Sequence, residues 1–235
     1  MSTWGLGVFP LLASVVAAAF GWMLLARYLA KRRPAEAAWT VAMFMFAVAS
    51  FAMFLGVVWG WTPTEYRLYW LFGAILNVPY LFLGEAYLLA KRRNVVNVLA
   101  VVVVLASVYA AVVVFRAPIA TDGLDAHLPL GKDAFAPGSN AYRLAQLYAF
   151  PAYFLLLFGL VWSSWQMRGR PELRNRTVGT LGIAVGATIV AIASGVGAGY
   201  DIVPLFSVGL AAGVSVMFWG FLQAVKPSPP VAAEA

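Results

Sequence analysis

Apolar residues run along this chain in long continuous blocks rather than in alternation. Seven such blocks, at about 7–29, 37–60, 66–90, 95–115, 144–167, 178–199 and 203–224, are separated by polar, proline or glycine punctuation. Roughly 20 apolar residues wound as an α-helix cross about 30 Å of hydrocarbon. Barrel strands would alternate every second residue, and these blocks do not. The pattern predicts an all-α bundle of seven transmembrane helices, one membrane domain over 1–225. Its connections are short except for 117–143, a Gly-, Pro- and Asp-rich stretch without periodicity, which reads as a lid or a mobile loop. Ser139 or Asn140 is placed to cap the helix that follows. The proline-rich end, 226–235, is too short to fold and is expected to be a disordered tail.

Composition sharpens the solvent and removes some chemistry. Of 235 residues 63% are apolar and only 11% charged, with a mean hydropathy of +0.85. A soluble domain carries roughly 25% charged residues, so the bilayer is the expected main partner. Cysteine is absent, which excludes disulfides, thiolate nucleophiles and sulfur-ligated metals. No Lys or Arg precedes Arg27, so the first block lacks the charged start of a secretory signal and reads as a retained helix.

The net charge of +7 is distributed by topology. Twelve of the 16 basic residues fall in 27–33, 91–93, 168–176 and at Lys226, all on one side of the predicted bundle. Only Arg67, Arg116, Lys132 and Arg143 fall on the other, with Glu65, Asp122, Asp125, Asp133 and Asp201. Cationic loops stay in the cytoplasm. That places the N-terminus outside and the C-terminus inside, in a bacterial-type plasma membrane, and leaves no footprint for nucleic acid. Trp59, Trp61, Tyr66, Tyr69 and Trp70 gather at the outer ends of the second and third helices, with Trp39 and Trp165 at the inner boundary, as aromatic belts would.

One internal echo stands out. KRRPAEAAWTV (31–41) and RGRPELRNRTV (168–178) share Arg33/Arg170, Pro34/Pro171, Thr40/Thr177 and Val41/Val178. A parallel repeat of three helices, a linker and three helices explains the echo. So does the ordinary preference for Pro and an acid in the first turn of a helix behind a basic loop.

Polar groups inside the apolar blocks supply the candidate chemistry. In the third block Pro79 lacks an N–H, which leaves the Ile75 carbonyl without its helical donor near mid-membrane. Asn77 brings donors to the same zone, three residues from Tyr80 and on the same face. Asn77 and Tyr80 either line a polar cavity or Asn77 is interhelical glue. Glu85, six residues before Lys91, lies near the inner boundary. It reads as a gate or proton-linked carboxylate, or else as the partner of Arg27, Lys31 or Arg168. The fifth block repeats the theme with Gln146, Tyr148, Pro151 and Tyr153. Paired interruptions point to a binding site. The expected ligand contacts are therefore Asn77, Tyr80, Trp70, Tyr148 and Tyr153, with Pro79, Pro151 and Glu85 as hinges or gate.

Small residues four apart, Gly182–Gly186, Gly195–Gly199 and Gly209–Gly213, suit close packing of the sixth helix on the seventh, or a homodimer face. Asp122, Asp125 and His127 match no standard metal spacing and read as solvated loop, so neither metal nor cofactor is expected. Within the spans there is no carboxylate pair for acid–base work, and the chain has no G-x-S-x-G turn and no Gly-Lys phosphate loop. An enzyme is not expected.

The layout resembles two known seven-helix architectures. It is similar to the rhodopsin-like bundle, but Asp201–Ala224 holds no lysine to carry retinal. It is also similar to the SWEET-type sugar transporters, with two triplets around a linker and an amide in the third helix, Asn77. It departs from them at GLAAGVSVM in the seventh helix, which has no Asn, and in the long 117–143 loop. The function expected is binding of a small organic solute or lipid-like ligand within the bundle, most simply for transport. The alternative is a ligand-sensing receptor or accessory subunit that acts through a partner protein docked on the basic loops.

Overall fold

The structure, a computed structural model, describes residues 3–125, 128–135, 139–197 and 202–226. The expected tail therefore lies outside the described residues beyond Lys226, as do His127 of the loop and Gly199 and Asp201. Seven long helices form the molecule: α1 (Thr3–Lys31), α2 (Pro34–Trp59), α3 (Pro63–Leu89), α4 (Arg93–Arg116), α5 (Asn140–Gln166), α6 (Arg174–Ile192) and α7 (Val203–Val225). Each is long and apolar enough to cross a membrane, α6 together with its flanking turns. Among the described residues the only extended pairing is one antiparallel bridge, Ile119 to Phe135.

Local chemistry sets the helix ends. Thr62 and Glu65 form a reciprocal capping box at the start of α3: Thr62 N donates to Glu65 Oε2 (3.0 Å) and Glu65 N to Thr62 Oγ1 (3.3 Å). Ser139 caps α5, its Oγ accepting from Ala141 N at 3.2 Å. The two echoed segments share one turn. Arg32 (φ 51°) and Gly169 (φ 78°) are left-handed, Arg33 and Arg170 are extended N-caps, and Pro34 and Pro171 open the next helical turns. Thr40 and Thr177 then both donate back to a carbonyl four residues earlier, Glu36 O and Leu173 O. The likeness stays local. α1 lies along α2 over most of its length, whereas α5 touches α6 only thinly.

Packing divides the bundle into firm and loose parts. α1 with α2, and α6 with α7, form the most extensive antiparallel contacts, and α1 also lies against α7. The α6–α7 seam depends on glycine. A Cβ on Gly220 would stand 2.7 Å from both Gly179 O and Ile183 N, and one on Gly213 2.8 Å from Gly186 O. No side chain fits between backbones this close, so Gly182, Gly186, Gly209 and Gly213 are all used inside the chain, while Gly195 faces open space. α3 packs on α2 and α5. α4 stands at the periphery with only 11% of its most apolar window buried, and its valines face outward.

α3 changes register at its middle. Trp70–Leu76 is π-helical and Asn77 N donates to Phe72 O, five residues back. This wider turn directly precedes Pro79, the residue that cannot continue the α-helical ladder.

At the end of the bundle away from the basic loops, the described residues 117–125 and 128–135 of the connection after α4 pack on one another and on α3. Ala120 N donates to Ala134 O (2.9 Å), Tyr66 Oη donates to Pro129 O (3.2 Å), and Gly131 lies directly against the Trp70 ring. Trp61, Tyr66, Tyr69, Trp70 and Phe135 form one aromatic cluster there, with ring centroids 5.2–6.0 Å apart. This corrects the belt expectation for Trp61, Tyr66 and Tyr69, which are buried, and for Trp70 and Trp39, which turn inward. Trp59 and Trp165, at 63% and 65% exposure, do face outward.

Candidate functional site

Each of the five residues expected to contact a ligand makes a hydrogen bond to a neighbouring helix. Asn77, 4% exposed, donates Nδ2 to Ala42 O at 2.7 Å and ties α3 to α2. Trp70 Nε1 donates to Ala141 O (3.0 Å), joining α3 to α5. The Tyr80 hydroxyl pairs with Ser107 Oγ of α4 at 3.3 Å. Tyr148 Oη donates to Ala106 O of α4 (3.3 Å), and Tyr153 Oη to Thr188 Oγ1 of α6 (3.1 Å). Five residues thus join five different helix pairs, and none of them lines the cavity found in the bundle. Pro79 is buried in α3, while Pro151 lies on the exposed side of α5.

The space lies elsewhere, in the half of the bundle nearer the basic loops. A cavity of about 20 Å³ opens where six of the seven helices meet, α4 being the exception. Leu24 of α1, Met43 of α2, Leu81 of α3, Leu156 and Leu160 of α5, and Ile183 of α6 give it an aliphatic wall. Phe20, Trp39, Met217 and Phe221 complete the wall with aromatic faces and a second flexible thioether. A cavity needs about 10–15 Å³ to admit one water-sized group, so this space has room for about one such group as it stands. Nothing in the sequence marks it, because ordinary Leu, Met and Phe side chains surround it.

Its wall is held by polar contacts just outside. Trp39 Nε1 donates to Leu81 O at 3.0 Å, and the indole lies directly on Gly84. On the basic side of the chamber, Arg27 Nε meets Glu36 Oε1 at 3.3 Å, and the Arg27 guanidinium covers the Phe221 ring at 5.4 Å. Glu36 is 6% exposed and its Oε2 has no hydrogen-bond partner. In the sequence Glu36 stands only as an acid in the first turn of α2. Its pairing with Arg27 across a tight two-residue turn was the legible signal, nine residues apart on adjoining helix ends.

Glu85 is the second buried carboxylate of this floor, 2% exposed, with Oε1 accepting nothing. It is packed against α5 at Gly159, where a Cβ would stand 3.0 Å from Glu85 Cγ and 3.8 Å from Oε1. Leu156 and Leu160 bracket that glycine in α5, and Leu81 precedes Glu85 by one turn of α3. Glu85 therefore lies immediately beside the chamber. Of the three bases expected to pair with it, Arg27 is engaged by Glu36, and Arg168 stacks on Trp165 at 5.6 Å. Among the described residues no salt bridge joins Glu85 to Lys31, and the cation that acts on Glu85 through space is Arg176 of α6, which the sequence did not single out.

Asp122 and Asp125 are described in the loop, and His127, their companion in the sequence, is not. No protein family, no curated protein and no solved structure matches this chain.

Proposed function

We propose that this multi-pass membrane protein binds a small organic molecule in the chamber between α1, α2, α3, α5, α6 and α7, most simply in order to move it across the bilayer. The observation that carries the reading is the chamber itself, an apolar space at the junction of six helices with a buried carboxylate beside it. Small-molecule sites are usually apolar and many times larger, so the reading requires the helices to part around this space when a guest enters. An intramembrane carboxylate is expensive unless it serves a pathway or a partner. Binding and movement, rather than bond chemistry, is the activity inferred. The excess of basic residues in the loops supports an orientation with the Lys31, Arg93 and Arg174 ends in the cytoplasm, and a bacterial-type plasma membrane is part of the same proposal.

Native mass spectrometry of the detergent-purified protein tests the binding, and flux in reconstituted vesicles tests the movement. A defined molecule retained at near-stoichiometric amount, and carried across vesicles that contain the protein, is the expected result. Retention without flux would make the protein a receptor or an accessory subunit. Bulk lipid alone, with no guest lost on blocking the chamber by Leu160→Trp, would refute the site.

A further inference from the structure

The outward face of α5 carries a pattern that packing inside the bundle does not use. Phe150, Phe154, Phe158 and Trp162 recur every four residues and so lie along one side of the helix. They are 49–67% exposed, and the Phe158 and Trp162 rings stack at 15° with centroids 6.1 Å apart. From Phe150 to Trp162 this ridge runs about 18 Å, at 1.5 Å per residue. Aromatic side chains ordinarily gather at the two membrane surfaces, whereas this ridge continues into the span. α4, exposed to the same degree, presents Val98, Val101, Val104 and Val108 instead. α5 packs only thinly on α4 and α6, so the ridge stands open on both flanks.

The ridge ends among arginines. Past Trp165 the chain turns sharply: Arg168 N donates to Trp165 O (3.1 Å), Arg170 N donates to Met167 O (3.3 Å), and Gly169 is left-handed at φ 78°. The turn keeps Arg168 and Arg170 at the end of α5, with the Arg168 guanidinium over the Trp165 ring at 5.6 Å. Arg174 and Arg176 follow in the first turn of α6. All four arginines are exposed, and Glu172 is the single acid among them. Among the described residues no salt bridge engages any of the four. Arg176 acts on Glu85, which leaves Arg168, Arg170 and Arg174 to a ligand.

Charge and ridge together select one kind of molecule. Cations clustered just beyond a transmembrane helix attract anionic headgroups, and a guanidinium pairs with phosphate through two parallel N–H groups. A zwitterionic lipid brings its own cation to the same place, which the arginines repel. A partner helix would need an acidic end at this depth.

We propose that α5 and the 168–176 turn bind an anionic glycerophospholipid, its phosphate on Arg168 and Arg170 and an acyl chain along Phe154, Phe158 and Trp162. The site is independent of the chamber. Native mass spectrometry of the full-length protein in detergent tests it, with phosphatidylglycerol and phosphatidylcholine of identical acyl chains as probes. One saturable phosphatidylglycerol is expected, held at least about tenfold more tightly than phosphatidylcholine, since each basic residue near the headgroups is worth about fivefold. Arg168→Gln with Arg170→Gln should abolish that preference. Lys91→Gln with Arg92→Gln removes the same charge from another basic loop and should preserve it. Phe158→Ala with Trp162→Ala should weaken retention severalfold, and excess glycerol phosphate, a headgroup without chains, should not displace the lipid. Equal retention of the two lipids, or a preference lost equally in both arginine and lysine loop variants, would overturn the site. Displacement by glycerol phosphate would mean a free-anion site and overturn the lipid assignment. A lipid-free dimer would put a second copy on the ridge and overturn it as well. The comparison of lipids on the unaltered protein needs no variant to fold.

Discussion

Gly84 faces the Trp39 indole so closely that alanine there tests how the chamber wall is held. A Cβ at Gly84 would overlap the ring at Cδ1 and Nε1 and stand 2.8 Å from Cγ. The ring has little freedom to retreat. Its Nε1 donates to Leu81 O at 3.0 Å, and Leu81 lies three residues earlier on the same face of α3. Alanine therefore forces the indole off its hydrogen bond or forces α3 away from α2. Overpacking of this kind costs about 1–3 kcal/mol. Losing one interhelical hydrogen bond in a membrane protein costs about 0.6–1.7 kcal/mol. The helix gains about 0.8–1.0 kcal/mol when glycine becomes alanine. The balance is a net loss of about 1–4 kcal/mol.

The sign depends on the ring. In a Trp39→Ala background the obstacle is gone, and Gly84→Ala should stabilise by up to about 1 kcal/mol through helix propensity alone. Unfolding by SDS mole fraction, followed by far-UV circular dichroism over the four proteins of this cycle, measures the coupling. Because Trp39→Ala opens a large cavity of its own, Trp39→Leu provides a milder background for the same comparison. A Gly84→Ala effect of equal sign and size with and without the ring would refute the contact. Trp39 is also a wall residue, so the single variant Gly84→Ala should disturb guest binding although Gly84 itself does not line the chamber.

Asn77→Ala should cost about 1 kcal/mol, because the helix of α2 still satisfies Ala42 O, and should leave guest binding unchanged. Weakened binding with unaltered stability, measured by NMR titration beside SDS unfolding, would restore Asn77 as a ligand contact. Gly213→Val places its side chain against the Gly186 and Val190 backbones. It should cost about 3 kcal/mol or more with no change of oligomeric state by light scattering, whereas a dissociating dimer would mean that this glycine serves an outer face. Gly169→Ala should destabilise by about 1 kcal/mol because φ is 78°, even though a Cβ there meets nothing within 4 Å. The same change at Gly195, also in open space but without a positive φ, should be tolerated in the thermal melt.

The fold was legible because a bilayer leaves few alternatives. A backbone in hydrocarbon must satisfy its own hydrogen bonds, so each long apolar block becomes a helix, and the blocks at 37–60 and 203–224 lie within one residue of the C-terminal ends of α2 and α7. Ser139 was legible for a similar reason, since a helix start with unsatisfied N–H groups selects a hydroxyl at that position. The arrangement of helices was not legible. That α4 stands aside while α1 and α7 meet depends on which apolar faces fit, and most faces of these helices are made of the same few side chains. The echo at Pro34 and Pro171 shows the limit. It encodes a turn, and a turn does not fix how the helices it joins pack.

The polar residues inside the spans are explained first by the hydrocarbon around them. In hydrocarbon a lone amide or hydroxyl is costly until it is bonded, so most polar residues in a span mark places where helices are tied together. Asn77, Tyr80, Tyr148, Tyr153 and Trp70 are such ties. A chamber for an apolar guest forms where ties are absent, among Leu, Met and Phe side chains that sequence cannot distinguish from the rest of the core. Only a polar group that sits beside such a space without a partner points to it. Glu85 Oε1 is such a group near the cavity, and its packing against Gly159 of α5 is not visible in the sequence. Glu36, equally buried, shows the contrast, because Arg27 reached one of its oxygens first. Each carboxylate keeps one oxygen without a hydrogen-bond partner, so what separates the two is direct contact with a cation: Arg27 reaches Glu36 at 3.3 Å, whereas Arg176 of α6 acts on Glu85 without forming a salt bridge.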